Sequence, residues 1–157
     1  MPSDDHPVVL VSACLLGVAC NHRGQASPSA AVAALGNGAR LVAVCPEVAG
    51  GLPTPRPAAE LQPDGRVMTA SGADVTDQYR RGAAHAVELA RVTGASRAVL
   101  KARSPSCGCH EVYDGTFSRT PRAGEGVTAA ALRAAGIEVG SEEDVEAAAP
   151  TIDGSGA

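Results

Sequence analysis

Aromatic side chains are nearly absent from this chain. It has one Phe, two Tyr and no Trp in 157 residues. Stacking of bases on aromatic rings is how single-stranded nucleic acids are held, so this composition argues against such a partner. Basic excess is missing too: 13 Lys and Arg stand against 17 Asp and Glu, a net charge of −4. A protein that neutralises a phosphate backbone carries the opposite balance, so no nucleic-acid partner is expected. No apolar run reaches the length of a bilayer span, so no membrane partner is expected either. The first residues, Met1 to His6, are short and acidic and do not read as a secretory signal, which makes a cytoplasmic protein the expectation. The paired C-x2-C spacing of structural zinc sites is also lacking. Five cysteines, an odd number, in a reducing compartment argue against a disulfide framework. They remain as buried thiols, a reactive thiol or metal ligands.

What is present is enough for one globular domain: 45 % apolar and 19 % charged residues. With so few rings, the core must be built from Val, Leu, Ala and Ile. Four apolar runs read as strands: Pro7–Ala13, Ala39–Val44, Arg97–Lys101 and the short Gly136–Val139. Helical patterns lie between them at Ser29–Leu35, Asp74–Thr93 and Gly126–Ala135. Gly94 and Gly136 close the last two, and Ser141 with three acidic residues after it opens another. The alternation implies a single three-layer α/β domain over residues 7–147, with helices on the faces of a mostly parallel sheet. The Pro- and Gly-rich stretch Val48–Gly72 breaks the rhythm, either as a functional loop or as an insertion with a small hairpin near Arg66–Thr69. Glu111–Phe117, with Asp114–Gly115 at its centre, reads as a second hairpin. The tail 148–157 is Ala, Gly and Ser in large part and is expected to be disordered.

In open parallel sheets, ligands bind beyond the carboxyl ends of the strands. Three of the runs end at Cys14, at Cys45 and in the segment Ser104–Cys107. If those strands are neighbours, three distant thiols meet at one place. Three thiolates with one open position suit an iron–sulfur cluster, and separate buried thiols are the alternative reading.

The segments VSACLLGVAC, CPEVAGGLPTPRPAAEL, DVTDQYRRGA, LKARSPSCG, YDGTF and GVTAAALRAAGIEV together resemble the DUF523 family across about Val8 to Val145. That family includes thiouracil desulfidases, which exchange the sulfur of a thiolated pyrimidine for oxygen without net redox change. The resemblance implies a Rossmann-like α/β domain and a [4Fe–4S] cluster held by Cys14, Cys45 and Cys107, with Glu47 and Ser104 acting in desulfuration on a small-molecule substrate. One stretch departs from the family. After Cys20 the chain reads Asn21-His22-Arg23-Gly24, where members commonly read Arg-Tyr-Asp-Gly. Two other readings of the thiols stay open: a non-enzymatic cluster- or metal-binding module, and a cluster-free cysteine sulfurtransferase working through Cys107. Cys20 and Cys109 are read as surplus thiols, His22 either as a ring that stacks on a planar substrate or as an exposed loop residue, His85 as a surface or packing residue, and His110 as having no partner visible in the sequence. Lys101 and Arg103 are read either as anion-facing or as solvated strand-end charges, and Arg56 either as closing over a substrate or as a solvent-exposed charge. The sequence leaves the oligomeric state undetermined.

Overall fold

A computed structural model describes residues 6–149; the rest of the tail expected to be disordered, 150–157, lies outside the described residues. In chain order the elements are β1 (Val8–Ser12), α1 (Ala30–Ala34), β2 (Arg40–Val44), α2 (Pro46–Ala49), β3 (Ala59–Leu61), β4 (Val67–Thr69), α3 (Thr76–Thr93), β5 (Arg97–Leu100), β6 (Glu111–Tyr113), β7 (Pro121–Ala123), α4 (Val127–Ala134), β8 (Glu138–Ser141) and α5 (Glu142–Ala148). Ala148, the first residue of that tail, closes α5.

Four strands form an all-parallel sheet in the order β2-β1-β5-β8. Its two faces follow from the alternation of side chains along a strand. Leu10 of β1 with Ala98 and Leu100 of β5 packs with Ala86, Ala90, Ala129 and Leu132 of α3 and α4. Val9, Val11 and Val99 point the other way, onto Val32 of α1 and Val145 of α5. The result is three layers, helix–sheet–helix, filled almost without rings. Leu10, Val11, Val99 and Leu100 are completely buried, and each such side chain contributes about 1.5–3 kcal/mol.

Local signals end the elements where the chain spells them. Ser29 accepts from the Val32 N–H at the start of α1, and Gly94 closes α3 at φ +75°. Ser141 and Asp144 form a reciprocal capping box on α5. The interruption after β2 is a hairpin, β3 pairing antiparallel with β4, reached through a loop that turns back on the site. The second hairpin is wider than Asp114–Gly115 suggests: the returning strand is β7, so seven residues separate the strands.

Two glycines set the contact between α2 and α3. A Cβ on Gly82 of α3 would lie 1.9 Å from the Pro46 carbonyl oxygen, and one on Gly50, just after α2, would lie 1.9 Å from the Gln78 carbonyl oxygen. α2 and α3 therefore touch backbone to backbone. Alanine is preferred over glycine inside a helix by about 1 kcal/mol, but overpacking against rigid backbone costs about 1–3 kcal/mol. Gly82→Ala is expected to lower the denaturation midpoint and to reduce turnover. Gly38→Ala, where a Cβ meets nothing within 4 Å, is the control that changes neither.

Candidate active site

Strand order 2-1 followed by β5 reverses the direction of winding at β1, which makes the gap between β1 and β5 a topological switch point. The register places the strand ends level, with Ser12 opposite Val44 and Val11 opposite Val99. Cys14 follows β1 by two residues, Cys45 follows β2 directly, and Cys107 lies on the turn after β5. All three line one cavity of about 470 Å³, together with Glu47 and Ser104. Cys14 packs with the α1/α5 side of the sheet and Cys107 with the α3/α4 side, so the cavity straddles its carboxyl edge.

All five cysteines are free thiols. Burial pushes the Cys14 thiol up to about 11 and the Cys107 thiol up to about 12. Two features favour the anions. Lys101 lies near enough to Cys14 to oppose that rise, and the Ser12 hydroxyl donates to the Cys107 sulfur at 3.3 Å while accepting from the Lys101 N–H at 2.9 Å. Cys20 also lines the cavity, beside Cys45; burial and that neighbour push its thiol up to about 12. Cys109 does not line the cavity.

The donor set discriminates between a single ion and a larger group. An ion about 2.3 Å from each sulfur holds tetrahedral sulfurs about 3.8 Å apart. Among the described residues, Cys14, Cys45 and Cys107 are not a group whose donor atoms all lie within 4.8 Å. As placed they are not a single-ion set, and an all-thiolate set of three suits an iron–sulfur cluster.

Glu47 is the second residue of α2, after the Cys45 cap and Pro46, a favourable place for an acid in a first helical turn. Its Oε1 accepts from the Tyr79 hydroxyl at 2.7 Å and from Arg56 Nε at 3.0 Å. Tyr79 is 2 % exposed, and burial together with Glu47 raises its pKa well above the usual phenol value, so it remains a donor. Arg56 is buried. Its other donors bond Pro53 O, Thr54 Oγ1 and Cys20 O. It is thus neither a lid over substrate nor a solvated charge but a clamp on the carboxylate. Oε2 carries no hydrogen bond among the described residues, and Glu47 lines the cavity.

Ser104 uses its hydroxyl oxygen to accept from the Ser106 and Cys107 N–H groups at 3.1 and 3.0 Å. With both lone pairs engaged, what it retains is one O–H donor. Lys101 is paired with Glu142 at 2.9 Å, and Arg103, at φ +65°, with Glu143 at 2.7 Å, so α5 absorbs both strand-end charges. His22 is an exposed residue on the cavity rim, and His85 lies on the exposed side of α3. Sequence reasoning missed Ser12, Tyr79 and the role of Arg56. Tyr79 carried one signal: it is the only Phe, Tyr or Trp in the long helix and lies one turn before Gly82.

The fold and cavity together define a doubly wound α/β protein with a cysteine-lined site at its switch point. Residues 9–144 match the family described as 2-thiouracil desulfurase, and the chain belongs to that family. A solved structure of the [4Fe–4S]-dependent thiouracil desulfidase TudS is 48 % identical, with a TM-score of 0.83, covering 90 % of this chain and 94 % of that one. The uncharacterized protein YbbK of Bacillus subtilis (strain 168) is 41 % identical over 147 residues, covering 88 % of this chain and 97 % of YbbK. The likeness to TudS extends to the three-layer fold with its parallel sheet.

Proposed function

We propose that this protein is a [4Fe–4S]-dependent desulfidase that converts a small thiocarbonyl compound, such as 2-thiouracil, and water into the carbonyl compound and sulfide. The observation that carries the reading is the meeting of three reduced thiols and a clamped carboxylate in one cavity at the switch point. The likeness to TudS and the family match support it. Cys14, Cys45 and Cys107 are the residues that would hold the cluster. When bound, it supplies a Lewis-acidic iron with an open coordination position.

The chain's own groups handle the protons. Glu47 Oε2 takes a proton from water as the water oxygen adds to the thiocarbonyl carbon. Arg56 and Tyr79, both on Oε1, keep Oε2 aimed at the cavity and prevent the carboxylate from rotating. Ser104 donates its remaining hydrogen to the polar edge of the substrate or to the attacking water. As the C–S bond breaks, Glu47 returns that proton to the departing sulfur, and the second water proton leaves the new hydroxyl as the C=O bond forms and completes hydrogen sulfide by way of solvent. The balance is one C=S and one water consumed, one C=O and one hydrogen sulfide formed, with no electron transferred. No helix among the described residues is long and apolar enough to cross a membrane. A reduced cytoplasm is the setting in which free thiols and such a cluster persist.

The test is anaerobic purification, with iron and acid-labile sulfide measured alongside sulfide release from 2-thiouracil and a panel of thioamides. A full cluster with no release from any compound would favour a binding module. Release that survives iron removal would favour a cysteine sulfurtransferase. Ser104→Ala is expected to lower turnover about tenfold or less, since a positioned water retains the Glu47 base. A loss as large as that of a Glu47 variant would make Ser104 a proton relay.

A further inference from the structure

Outside the cavity, the described residues hold one other convergence of ligating side chains. The donor atoms of Cys109, His110 and Asp144 all lie within 4.8 Å of one another. Cys109 and His110 belong to the turn that continues from Cys107, and Asp144 belongs to α5, 34 residues further on.

Both sides are held in place by contacts that need no ion. Gly108 permits the turn because a Cβ there would lie 2.6 Å from Glu111 O and 2.9 Å from Ser104 O. Asp144 is fixed by the capping box, its Oδ2 accepting from the Ser141 N–H at 2.9 Å. The same Oδ2 meets His110 Nε2 at 2.7 Å. A dication can replace the proton shared by these two atoms, leave the helix cap intact, and draw on the Cys109 sulfur beside them. Cys109 is buried, whereas the His110 and Asp144 side chains are 60 % and 48 % exposed, so an ion has access from solvent.

One thiolate, one imidazole and one carboxylate form a borderline donor set. Zinc binds these at about 2.3, 2.0–2.1 and 2.0–2.2 Å in tetrahedral geometry, with water in a fourth place when the protein supplies three ligands. We propose that Cys109, His110 and Asp144 form a second metal site, distinct from the cysteine-lined cavity, that takes Zn²⁺ and ties the Cys107 turn to α5. On binding, the Cys109 thiol proton and the proton between His110 and Asp144 leave to solvent.

The experiment uses the anaerobically purified, iron-loaded protein. Zinc chloride is added, excess is removed by gel filtration, and zinc and iron are counted by elemental analysis. Wild type is expected to retain about one zinc per chain with its iron unchanged, and zinc-edge X-ray absorption should show a single sulfur neighbour. Cys109→Ser, His110→Gln and Asp144→Asn should each weaken zinc retention tenfold or more in chelator competition while iron stays constant. Asn at 144 still offers an oxygen to the Ser141 N–H, so the α5 cap persists in that variant. Absence of stoichiometric zinc, equal retention by all three variants, or zinc gained only as iron is lost would each overturn the proposal. None of these readouts depends on desulfuration, so failure of the second site and failure of the proposed activity are separable.

Discussion

Replacing Glu47 with glutamine leaves the iron content unchanged and lowers sulfide release by about 10²–10⁴-fold, the usual contribution of a general acid–base group. Glutamine keeps the carbonyl oxygen that Tyr79 and Arg56 hold, so the clamp survives in shape. Arg56 loses its ionic partner but keeps three other acceptors, which limits the stability cost to about 1–3 kcal/mol. The fold therefore remains while the proton carrier does not. Circular dichroism and iron analysis on the same preparation separate loss of chemistry from loss of structure. Wild-type turnover by a cluster-loaded Glu47→Gln protein would remove Glu47 from the mechanism.

Cys14→Ser, Cys45→Ser and Cys107→Ser are each expected to lose most of the bound iron, whereas Cys20→Ser and Cys109→Ser retain it. A serine alkoxide is scarcely available at neutral pH, and its hard oxygen is a poor substitute for thiolate. The informative comparison is between Cys20 and Cys45, which both line the cavity and lie beside each other. Iron loss on Cys20→Ser with retention on Cys45→Ser would exchange those two in the ligand set. Loss confined to Cys109→Ser would show that the wrong member of the Cys107–Cys109 pair had been chosen.

The strands and their cysteines were legible because continuous Val- and Leu-rich runs are a local signal, and Cys14 and Cys45 follow directly where those runs stop. The helix ends were legible for the same reason, through Gly94 and Ser141. What was not legible depends on partners far apart in the chain. Glu47 meets Tyr79 across 32 residues, and Lys101 meets Glu142 across 41, with no spacing rule to announce either. The role of Arg56 was hidden by its Pro-rich surroundings, which read equally as a loop open to solvent. The closeness of Gly50 and Gly82 to facing carbonyls likewise appears only once two backbones are placed together.

The bond from Tyr79 to Glu47 has a use beyond holding the carboxylate. Tyr79 and Tyr113 are the chain's only tyrosines, and there is no tryptophan to mask them. In the cluster-free protein, near-ultraviolet absorption above the phenylalanine region and intrinsic emission therefore come from two phenols, one of them 2.7 Å from the proposed base. A phenol's spectrum shifts with the charge on its acceptor, and Tyr113, with the Arg119 guanidinium 5.9 Å from its ring centre, sits in a different environment. The cluster-free protein thus carries its own optical indicator of the Glu47 protonation state, readable without a label.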